Sequence, residues 1–360
     1  MKILQVITSM RIGGAEKLVA EMAPRMQNAG HQVDVLLFDG ANTPLKEQLE
    51  KEGINVYQLA IGKSVYHPLF IFQLIAYLKK YDIIHTHNTA CQLFVAIASL
   101  FCSSTIITTE HNTSNRRRNW SWYCFIDRWM YNQYQHIVCI SDAAEKNLKA
   151  YIKHCQTPIT TIYNGINLSR FTTAQPNHTL AQQKNGRYII TMVAGFREQK
   201  DQDTLIRSLR HLPQSKYEIW LVGDGERKEV LQELCKKEQV TDYVRFLGIR
   251  NDIPEILKAS DIIVMSSHYE GLSLSSIEGM ASGKPFIASD VDGLHEITKG
   301  SGILFSHENE KELAENIQTL MENKKLYYET SELCMKKAAL YDIQHTINNY
   351  LDIYQKKSHD

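Results

Sequence analysis

Short apolar runs alternate with amphipathic helical patterns along most of the chain, and this alternation limits the possible fold more than any other feature. The apolar runs are rich in Ile, Val and Leu, as is typical of parallel strands buried on both faces. Strands that alternate with helices form doubly wound parallel sheets, so the predicted class is α/β. We predict two series of strands, first at residues 2–8, 32–38, 54–59, 82–86, 105–109, 136–140 and 159–163, then at 188–193, 218–222, 244–247, 262–265, 285–288 and 302–304.

Two series of strands in a chain of 360 residues predict two domains. Between the series, residues 172–186 (TTAQPNHTLAQQKNG) are polar and show no periodicity, so we expect a linker there. The predicted domains are therefore residues 1–172 and 187–342, each a Rossmann-like unit. Apolar residues at helical spacing predict a final helix within 343–360.

The composition is that of a globular protein, with 43% hydrophobic residues, 22% charged residues and a formal net charge of zero. No nucleic-acid partner is expected. Seven cysteines without a CxxC pair favour a reducing compartment, and they argue against a disulfide framework or a zinc site. The first residues are typical of a strand rather than a signal peptide, and no apolar stretch has the length of a membrane span. We therefore expect a cytoplasmic protein.

The most informative stretch is SSHYEGLSLSSIEGMASGKPFIASD at residues 266–290, which follows a predicted buried strand. A helix is expected to begin near Ser275 or Ser276, since serine is a good N-cap. Glu270 lies at the carboxyl end of the strand, and Glu278 lies on the helix with seven residues between them. In open α/β sheets, ligands bind at this end of the strands. Backbone N–H groups at the helix start suit a phosphate and the carboxylates suit sugar hydroxyls, so we expect a phosphorylated, hydroxyl-bearing ligand.

This stretch resembles the E-x7-E signature of retaining glycosyltransferases, family 4 in particular. Glu-Gly, Leu-Ser-Leu and Glu-Gly-Met-Ala-Ser-Gly-Lys-Pro follow one another in the family's register. The resemblance implies a GT-B fold, in which two Rossmann-like domains face each other across a cleft and the helix at 343–360 crosses back to the first domain. It also implies transfer of a sugar with retention and without a metal or other cofactor.

The resemblance further implies a nucleotide-diphosphate sugar as donor, bound by the second domain, and an acceptor bound by the first. The expected acceptor is a glycan or lipid-linked glycan in the synthesis of a bacterial capsule, O-antigen or exopolysaccharide, at the inner face of the cell membrane. Two alternatives remain open: a small-molecule glycosyltransferase, and a non-catalytic sugar-nucleotide-binding partner of an active transferase.

Residues of the second half that match the family's motif take their roles from it. The resemblance assigns Glu278 to the ribose hydroxyls and Glu270 to hydroxyls of the donor sugar. It assigns the amides of Gly271, Leu272 and Ser273 to the sugar and the diphosphate.

The family usually places an arginine five residues before a lysine, with both on the donor phosphates. Lys200 matches the lysine, but Gly195 stands at the arginine's position, and Arg197 is expected to supply the missing charge. Gly223 is expected to clear room for the nucleotide, and the base is expected to stack near Phe246. The departure at Gly195 is the feature that keeps the non-catalytic alternative open.

In the first half, Gly13 and Gly14 form the turn after the first strand, which in the family lies under the diphosphate. Two glycines allow a close approach of backbone to ligand, although a tight turn without a ligand would also use them. His111 matches a family histidine that contacts the donor sugar, and we group it with Glu270 and Lys200 as a catalytic candidate. For His85 and His87 a metal pair is conceivable, but we favour an acceptor-binding or structural role.

Two further patterns have competing interpretations. Arg116, Arg117 and Arg118 beside Trp120 and Trp122 suit contact with an anionic membrane, but equally a solvated loop whose aromatic residues pack inward. Residues 290–292 (DVD) imitate a metal-binding DxD motif, but their place in a turn favours a structural role.

Overall fold

A computed structural model describes residues 1–11, 13–59, 64–111, 120 and 123–358. The chain forms two compact units, one made of Met1–Asn164 with Ile343–Asp360 and the other of Gly165–Asp342. Each unit contains one parallel sheet, as the sequence predicted. Among the described residues, no helix is both long enough and apolar enough to cross a membrane.

The first unit is built on a seven-stranded sheet of order β3-β2-β1-β4-β5-β6-β7. Its strands are β1 Lys2–Ile7, β2 Gln32–Leu37, β3 Asn55–Gln58, β4 Ile83–Thr86, β5 Thr105–Glu110, β6 His136–Cys139 and β7 Ile159–Thr161. Its helices are α1 Gly14–Asn28, α2 Pro44–Lys51, α3 Phe70–Leu78, α4 Thr89–Ser99, α5 Tyr123–Tyr131, α6 Asp142–Tyr151 and the last helix of the chain, α16 Ile343–Ser358.

Side chains of β1 alternate between two hydrophobic cores, because successive residues of a strand point to opposite faces of the sheet. Leu4 and Val6 pack in the core that includes side chains of α3 and α4. Ile3 and Ile7 pack in the core that includes side chains of α1 and α16. Gln5 points to this second face and is fully buried, so a polar group lies within the apolar contact between β1 and α16.

The second unit has a six-stranded sheet of order β10-β9-β8-β11-β12-β13. The strands are β8 Tyr188–Val193, β9 Tyr217–Val222, β10 Val244–Gly248, β11 Ile262–Met265, β12 Phe286–Ser289 and β13 Ile303–Phe305. The helices are α7 Leu168–Thr172, α8 His178–Gln182, α9 Gln202–Ser208, α10 Lys228–Lys237, α11 Ile253–Ala259, α12 Leu274–Ala281, α13 His295–Thr298, α14 Glu310–Glu322 and α15 Lys324–Ala339.

The strand order of each sheet reverses at one point, and this is where doubly wound sheets bind ligands, outside the carboxyl ends of the strands. In the first unit the reversal lies between β1 and β4, whose loops carry Gly13 and His87. In the second unit it lies between β8 and β11, whose loops carry Lys200 and Glu270. Each unit thus has one crevice that its topology favours for binding.

Two sequence-based expectations differ from the structure. The predicted domain end at 172 and the linker at 172–186 are replaced by a boundary after Asn164, because α7 and α8 fold onto the second unit. Phe171 and Leu180 are 4% and 8% exposed there, so two apolar side chains anchor a segment that is otherwise polar. Helix α12 begins at Leu274, slightly before the expected start near Ser275 or Ser276, because Ser273 is its N-cap.

Candidate functional site

The second unit pairs two of the three residues that the sequence singled out as catalytic candidates. Lys200 Nζ lies 2.5 Å from Glu270 Oε1, and the two side chains are 21% and 7% exposed. Ser267 Oγ donates to the same carboxylate oxygen over 2.7 Å. Among the described residues, Glu270 Oε2 has no hydrogen-bond partner in the protein. The pair therefore presents a lysine cation and a free carboxylate oxygen at the reversal point of the sheet.

Hydrogen bonds between the loop after β8 and the loop after β11 position this ion pair. Ser266 Oγ donates to the carbonyl oxygen of Asp201 over 2.6 Å. The backbone N–H of His268 donates to the carbonyl oxygen of Gln199 over 2.8 Å. Asp201 has φ +46°, a left-handed conformation that side chains rarely adopt, and its carboxylate caps α9. The two loops are thus tied by their backbones as well as by charge.

The backbone that leads into α12 offers donors to an anion. Within the described chain, the N–H groups of Gly271, Leu272 and Ser273 donate no hydrogen bond to the protein. Ser273 Oγ accepts a hydrogen bond from the N–H of Ser276 and fixes the start of the helix. Free N–H groups beside a helix amino terminus attract phosphate or hydroxyl oxygens, as the sequence predicted for this loop.

The turn after β12 packs against the backbone of Glu270 and accepts a hydrogen bond from it, and the sequence did not predict this role. The N–H of Glu270 donates to the carbonyl oxygen of Asp292 over 3.1 Å. Gly293 has φ +83°, and a Cβ there would lie 2.3 Å from the carbonyl oxygens of both Glu270 and Gly271. An Asp-Gly dipeptide signals such a turn in the sequence, but not what packs against it. This contact gives the DVD segment a structural role, as we favoured.

The remaining donor-binding candidates of this unit occupy different positions around the same sheet edge. Glu278 is partly buried on α12. Phe246 lies on the edge strand β10, with its ring edge-on to Phe196 at 5.9 Å between centroids. Gly223 has φ +142°, and a Cβ there would lie 2.1 Å from the carbonyl oxygen of Ala194. Glycine at 223 thus lets the carbonyl group of Ala194 approach closely, and the place of a nucleotide beside Gly223 stays a prediction.

Gly195, where the family's arginine is missing, faces open space. A Cβ at Gly195 would meet no atom closer than 3.8 Å, and Arg197 Nε would lie 3.9 Å from it. Arg197 is exposed, and among the described residues it has no ion-pair partner. The Nε of Arg197 thus lies close to the Cβ position that an arginine at 195 would have.

In the first unit, the two glycines after β1 have different environments. Gly14 is the first residue of α1, and a Cβ there would meet no described atom within 4 Å. A Cβ at Gly13 would lie 2.2 Å from Glu16 Oε2, so glycine allows that carboxylate to fold back over the start of α1. Burial raises the pKa of the Glu16 carboxyl. Only Gly14 leaves open room for a ligand at this turn.

His111 follows β5 and belongs to a group of buried imidazoles rather than standing alone. His87 Nδ1 lies 3.1 Å from His111 Nε2, and His87 Nε2 lies 2.6 Å from Gln5 Oε1. His85 bonds Tyr354 of α16 and Thr109 of β5. The structure thus favours a structural role for His85 and His87 over a metal pair. The alternating positions of His85 on β4 and His87 just after it signalled a shared face, but nothing in the sequence pointed to Gln5 or Tyr354.

Most of the predicted membrane-contact segment lies outside the described residues, namely Arg116, Arg117, Arg118 and Trp122. Trp120 is described and is 57% exposed. The membrane interpretation therefore stays a prediction.

One group of described side chains has the geometry of metal ligands: His268, His307 and Glu308, whose ligand atoms lie within 4.8 Å of one another. The two imidazoles bond each other over 2.6 Å. Both His307 and Glu308 are exposed, and His268 is only partly buried. The group follows β11 and β13, next to the loop that carries Glu270.

Two family models match the chain. The model described as Glycosyltransferase Family 4 matches residues 12–170, and the model described as Glycosyl transferases group 1 matches residues 177–337. Together they cover most of both units.

Individual relatives are similar over most of their length. The chain is 24% identical to the UDP-Gal:alpha-D-GlcNAc-diphosphoundecaprenol alpha-1,3-galactosyltransferase of Escherichia coli, over 83% of this chain and 82% of that protein. It is 24% identical to the O-antigen biosynthesis glycosyltransferase WbnH of Escherichia coli, over 83% and 84% of the two chains. The crystal structure of Anabaena HepE in complex with UDP-glucose has a TM-score of 0.82 at 22% identity, covering 99% of this chain and 100% of that one. The last likeness shows a shared fold.

Proposed function

Since the chain belongs to the group 1, family 4 glycosyltransferases and has their GT-B fold, we propose that it is a retaining enzyme that transfers a sugar from a UDP- or GDP-linked donor to a glycan or lipid-linked acceptor. The family and the fold predicted from the E-x7-E stretch are confirmed. The observation that carries the proposed reaction is the Lys200–Glu270 pair at the reversal point of the second sheet.

The second unit would bind the donor. Lys200 would stabilise the leaving diphosphate, because a fixed cation aimed at developing negative charge lowers the barrier. Oε2 of Glu270 would accept hydrogen bonds from hydroxyls of the sugar, and Glu278 would hold the ribose. The free N–H groups of residues 271–273 would bind the sugar and the diphosphate.

The reaction that fits this set of groups needs no protein nucleophile. The bond between C1 of the sugar and the phosphate oxygen breaks, and the electron pair leaves with the oxygen. The acceptor hydroxyl attacks C1 from the same face, and its proton passes to the leaving phosphate. The configuration at C1 is thereby retained, and Lys200 neutralises the charge that the diphosphate gains.

We propose that Lys200 and Arg197 neutralise the diphosphate in place of a metal ion. The group His268, His307 and Glu308 provides the test, because it has suitable ligand atoms and His268 lies on the same loop as Glu270. Transfer should be unchanged in EDTA, both in the wild type and in His268→Ala. Activity that EDTA abolishes and Mn²⁺ restores, in the wild type only, would contradict metal independence and identify this group as the metal site.

The proposed acceptor is a growing surface polysaccharide, and the first unit would bind it. Support comes from the relatives, one named for O-antigen biosynthesis and one for transfer to a diphosphoundecaprenol-linked sugar. A contact of Trp120 and its neighbouring arginines with anionic lipid would bring the enzyme to such acceptors. Flotation with anionic and with neutral liposomes tests this contact, and equal recovery with both would reject it.

Thermal shifts against a panel of nucleotides and nucleotide sugars test the whole proposal, since a ligand of the native state raises its stability. We expect UDP or GDP and one sugar derivative to raise the melting temperature, and that derivative to be consumed with release of nucleotide. Binding without turnover would favour the non-catalytic partner, for which Gly195 is the supporting feature. No stabilisation by any nucleoside diphosphate would contradict donor binding.

A further inference from the structure

A buried chain of hydrogen bonds leads from the interior of the first unit to His111. Gln5 of β1 and His87, which follows β4, are 0% and 1% exposed. The ring nitrogens of His87 point in opposite directions, with Nε2 2.6 Å from Gln5 Oε1 and Nδ1 3.1 Å from His111 Nε2. Within the described part of the chain, Nδ1 of His111 is buried and has no hydrogen-bond partner.

The three imidazoles of this cluster are neutral at neutral pH. Burial lowers the pKa of His111 to about 4 and lowers the pKa values of His85 and His87 well below the ordinary value. A neutral imidazole carries one N–H donor and one bare nitrogen that accepts. Every hydrogen bond in the cluster must therefore have one defined donor.

Gln5 sets the direction of the bonds toward His111. An amide oxygen can only accept, so Nε2 of His87 carries the proton and donates to Gln5 Oε1. The Nδ1 of His87 is then bare, and it accepts from Nε2–H of His111. The remaining nitrogen of His111, Nδ1, is consequently bare and is an acceptor.

The other side of the Gln5 amide is bonded to α16. Its Nε2 lies 3.4 Å from the hydroxyl oxygen of Tyr354, which lies 2.6 Å from His85 Nδ1. Nε2 of His85 lies 2.7 Å from Thr109 Oγ1. One consistent set of donors on this side has Gln5 donating to Tyr354, Tyr354 donating to Nδ1 of His85, and Nε2–H of His85 donating to Thr109. The amide nitrogen of Gln5 also lies 4.0 Å from Met26 Sδ.

The opposite orientation of the Gln5 amide is less favourable. It would make an N–H group of Gln5 the donor and Nε2 of His87 the acceptor. All the protons toward His111 would then reverse, and Nδ1 of His111 would become a buried N–H with no acceptor among the described residues. An orphaned buried donor is rarer and costlier than an acceptor with a free lone pair.

We propose that Gln5, held by Tyr354 and acting through His87, positions the proton of His111 on Nε2, so that Nδ1 offers a lone pair to a bound ligand. A bare nitrogen bonds a hydroxyl and does not bond a phosphate oxygen that carries no proton. The ligand group at His111 is therefore a hydrogen-bond donor, and identifying it as a sugar hydroxyl rests on the proposed function. Gln5, His87 and Tyr354 are positioning residues, since their effect on the ligand passes through His111.

Nitrogen-15 NMR of the full chain labelled at histidine tests the proposal, because protonated and bare ring nitrogens have well separated shifts. Difference spectra with His111→Gln and His87→Gln assign the signals. At pH 7 we expect His111 to show one tautomer, protonated at Nε2. A wild-type His111 protonated at Nδ1 would overturn the proposal, and this measurement needs no activity.

Two matched variants on α16 test the role of Tyr354. Tyr354→Phe removes the group that orients the Gln5 amide, so the Nδ1–H form of His111 should appear beside the Nε2–H form. Tyr350→Phe is the control, because Tyr350 is equally buried one turn earlier, and within the described chain its hydroxyl bonds Thr109, at 2.9 Å, and not Gln5. A purely structural role would lower the melting temperature of both variants without changing the tautomer of His111. Identical His111 signals in both variants would overturn the role of Tyr354.

Addition of ligands separates this inference from the proposed function. The Nδ1 signal of His111 should shift with the matching nucleotide sugar and not with the nucleoside diphosphate alone. A response to the diphosphate alone would contradict the hydroxyl assignment. A correct tautomer in a protein that binds no nucleotide sugar would leave the positioning network standing and reject the donor instead.

Discussion

Replacement of Lys200 by methionine tests the central ion pair, because methionine keeps the length of the side chain and removes its charge. If Lys200 stabilises the leaving diphosphate, turnover should fall about 10²- to 10³-fold, the loss expected for one electrostatic contact made in the transition state. The assay is release of nucleotide from the donor identified by thermal shift, measured well below the melting temperature.

The same variant should also lower stability, by an amount that the burial of the pair indicates. Removal of one partner of a fully buried pair costs about 3–5 kcal/mol. Lys200 is 21% exposed, and water screens it in part, so we expect about 2 kcal/mol, or roughly 4–8 °C in a unit of this size. Adding Glu270→Gln to Lys200→Met removes the unpaired carboxylate, so stability should recover while turnover stays low.

The matched control is Lys184→Met. Lys184 Nζ lies 3.0 Å from Asp261 Oδ2, and the two side chains are 24% and 22% exposed. These residues precede β8 and β11, so this pair joins the amino ends of the strands whose carboxyl ends carry Lys200 and Glu270. Lys184→Met should lower stability by a similar or smaller amount and leave turnover within about twofold of the wild type. Near-normal turnover in Lys200→Met, or an equal loss in Lys184→Met, would refute the assigned role.

Three further outcomes are expected. Burial lowers the pKa of His111 to about 4, so between about pH 6.5 and 4 the unfolded chain binds a proton at this histidine that the folded chain does not. The stability that neutral His111 contributes should be fully present above this range and fall on acidification, by about 2 kcal/mol at pH 5. His111→Gln should therefore flatten the decline of melting temperature from pH 7 to pH 5, whereas the exposed His178→Gln should not, and equal slopes would contradict this. Arg197→Ala should weaken donor binding about tenfold, the scale of one charged hydrogen bond, and Gly195→Arg in that background should restore it; unchanged affinity in Arg197→Ala would show that this guanidinium is not used. Gly293→Ala should lower the free energy of unfolding by more than about 2 kcal/mol, because its Cβ meets two carbonyl oxygens at 2.3 Å and its φ is positive, whereas Gly195→Ala, at an open position, should change it by less than about 0.5 kcal/mol; similar values for the two in chemical denaturation would count against the turn's role.

The strands, the fold class and the Lys200–Glu270 site could be predicted because their signals are local. A buried parallel strand is a short run of β-branched residues, and its ends shift by only a few residues between prediction and structure. The carboxyl end of such a strand faces the binding edge of the sheet, so a charged residue just after it has a predictable place. Lys200 and Glu270 follow β8 and β11 in this way and form an ion pair.

Local patterns were insufficient where a residue's role depends on a distant segment. The polar stretch 172–186 has the composition of a linker, but Leu180 is buried in the second unit and fixes its place. Serines stand at 273, 275 and 276, and only the folded backbone shows that Ser273 is the cap, with its Oγ accepting from the N–H of Ser276. At position 223 any side chain would clash with the carbonyl oxygen of Ala194, so glycine is needed there. No motif near Gly223 in the sequence indicates this contact.

The protonation of His111 depends most on tertiary structure. The sequence places a histidine after a strand at the binding edge, and the chemistry of imidazole alone leaves two tautomers available. The choice between them comes from Gln5 and Tyr354, which are 349 residues apart in the chain and meet only when α16 packs on β1. The periodicity of apolar residues indicates which face of each helix or strand is buried, because whether a position is buried selects the residue at that position alone. The direction of a buried hydrogen bond requires both partners, so it arises only when the folded chain brings them together.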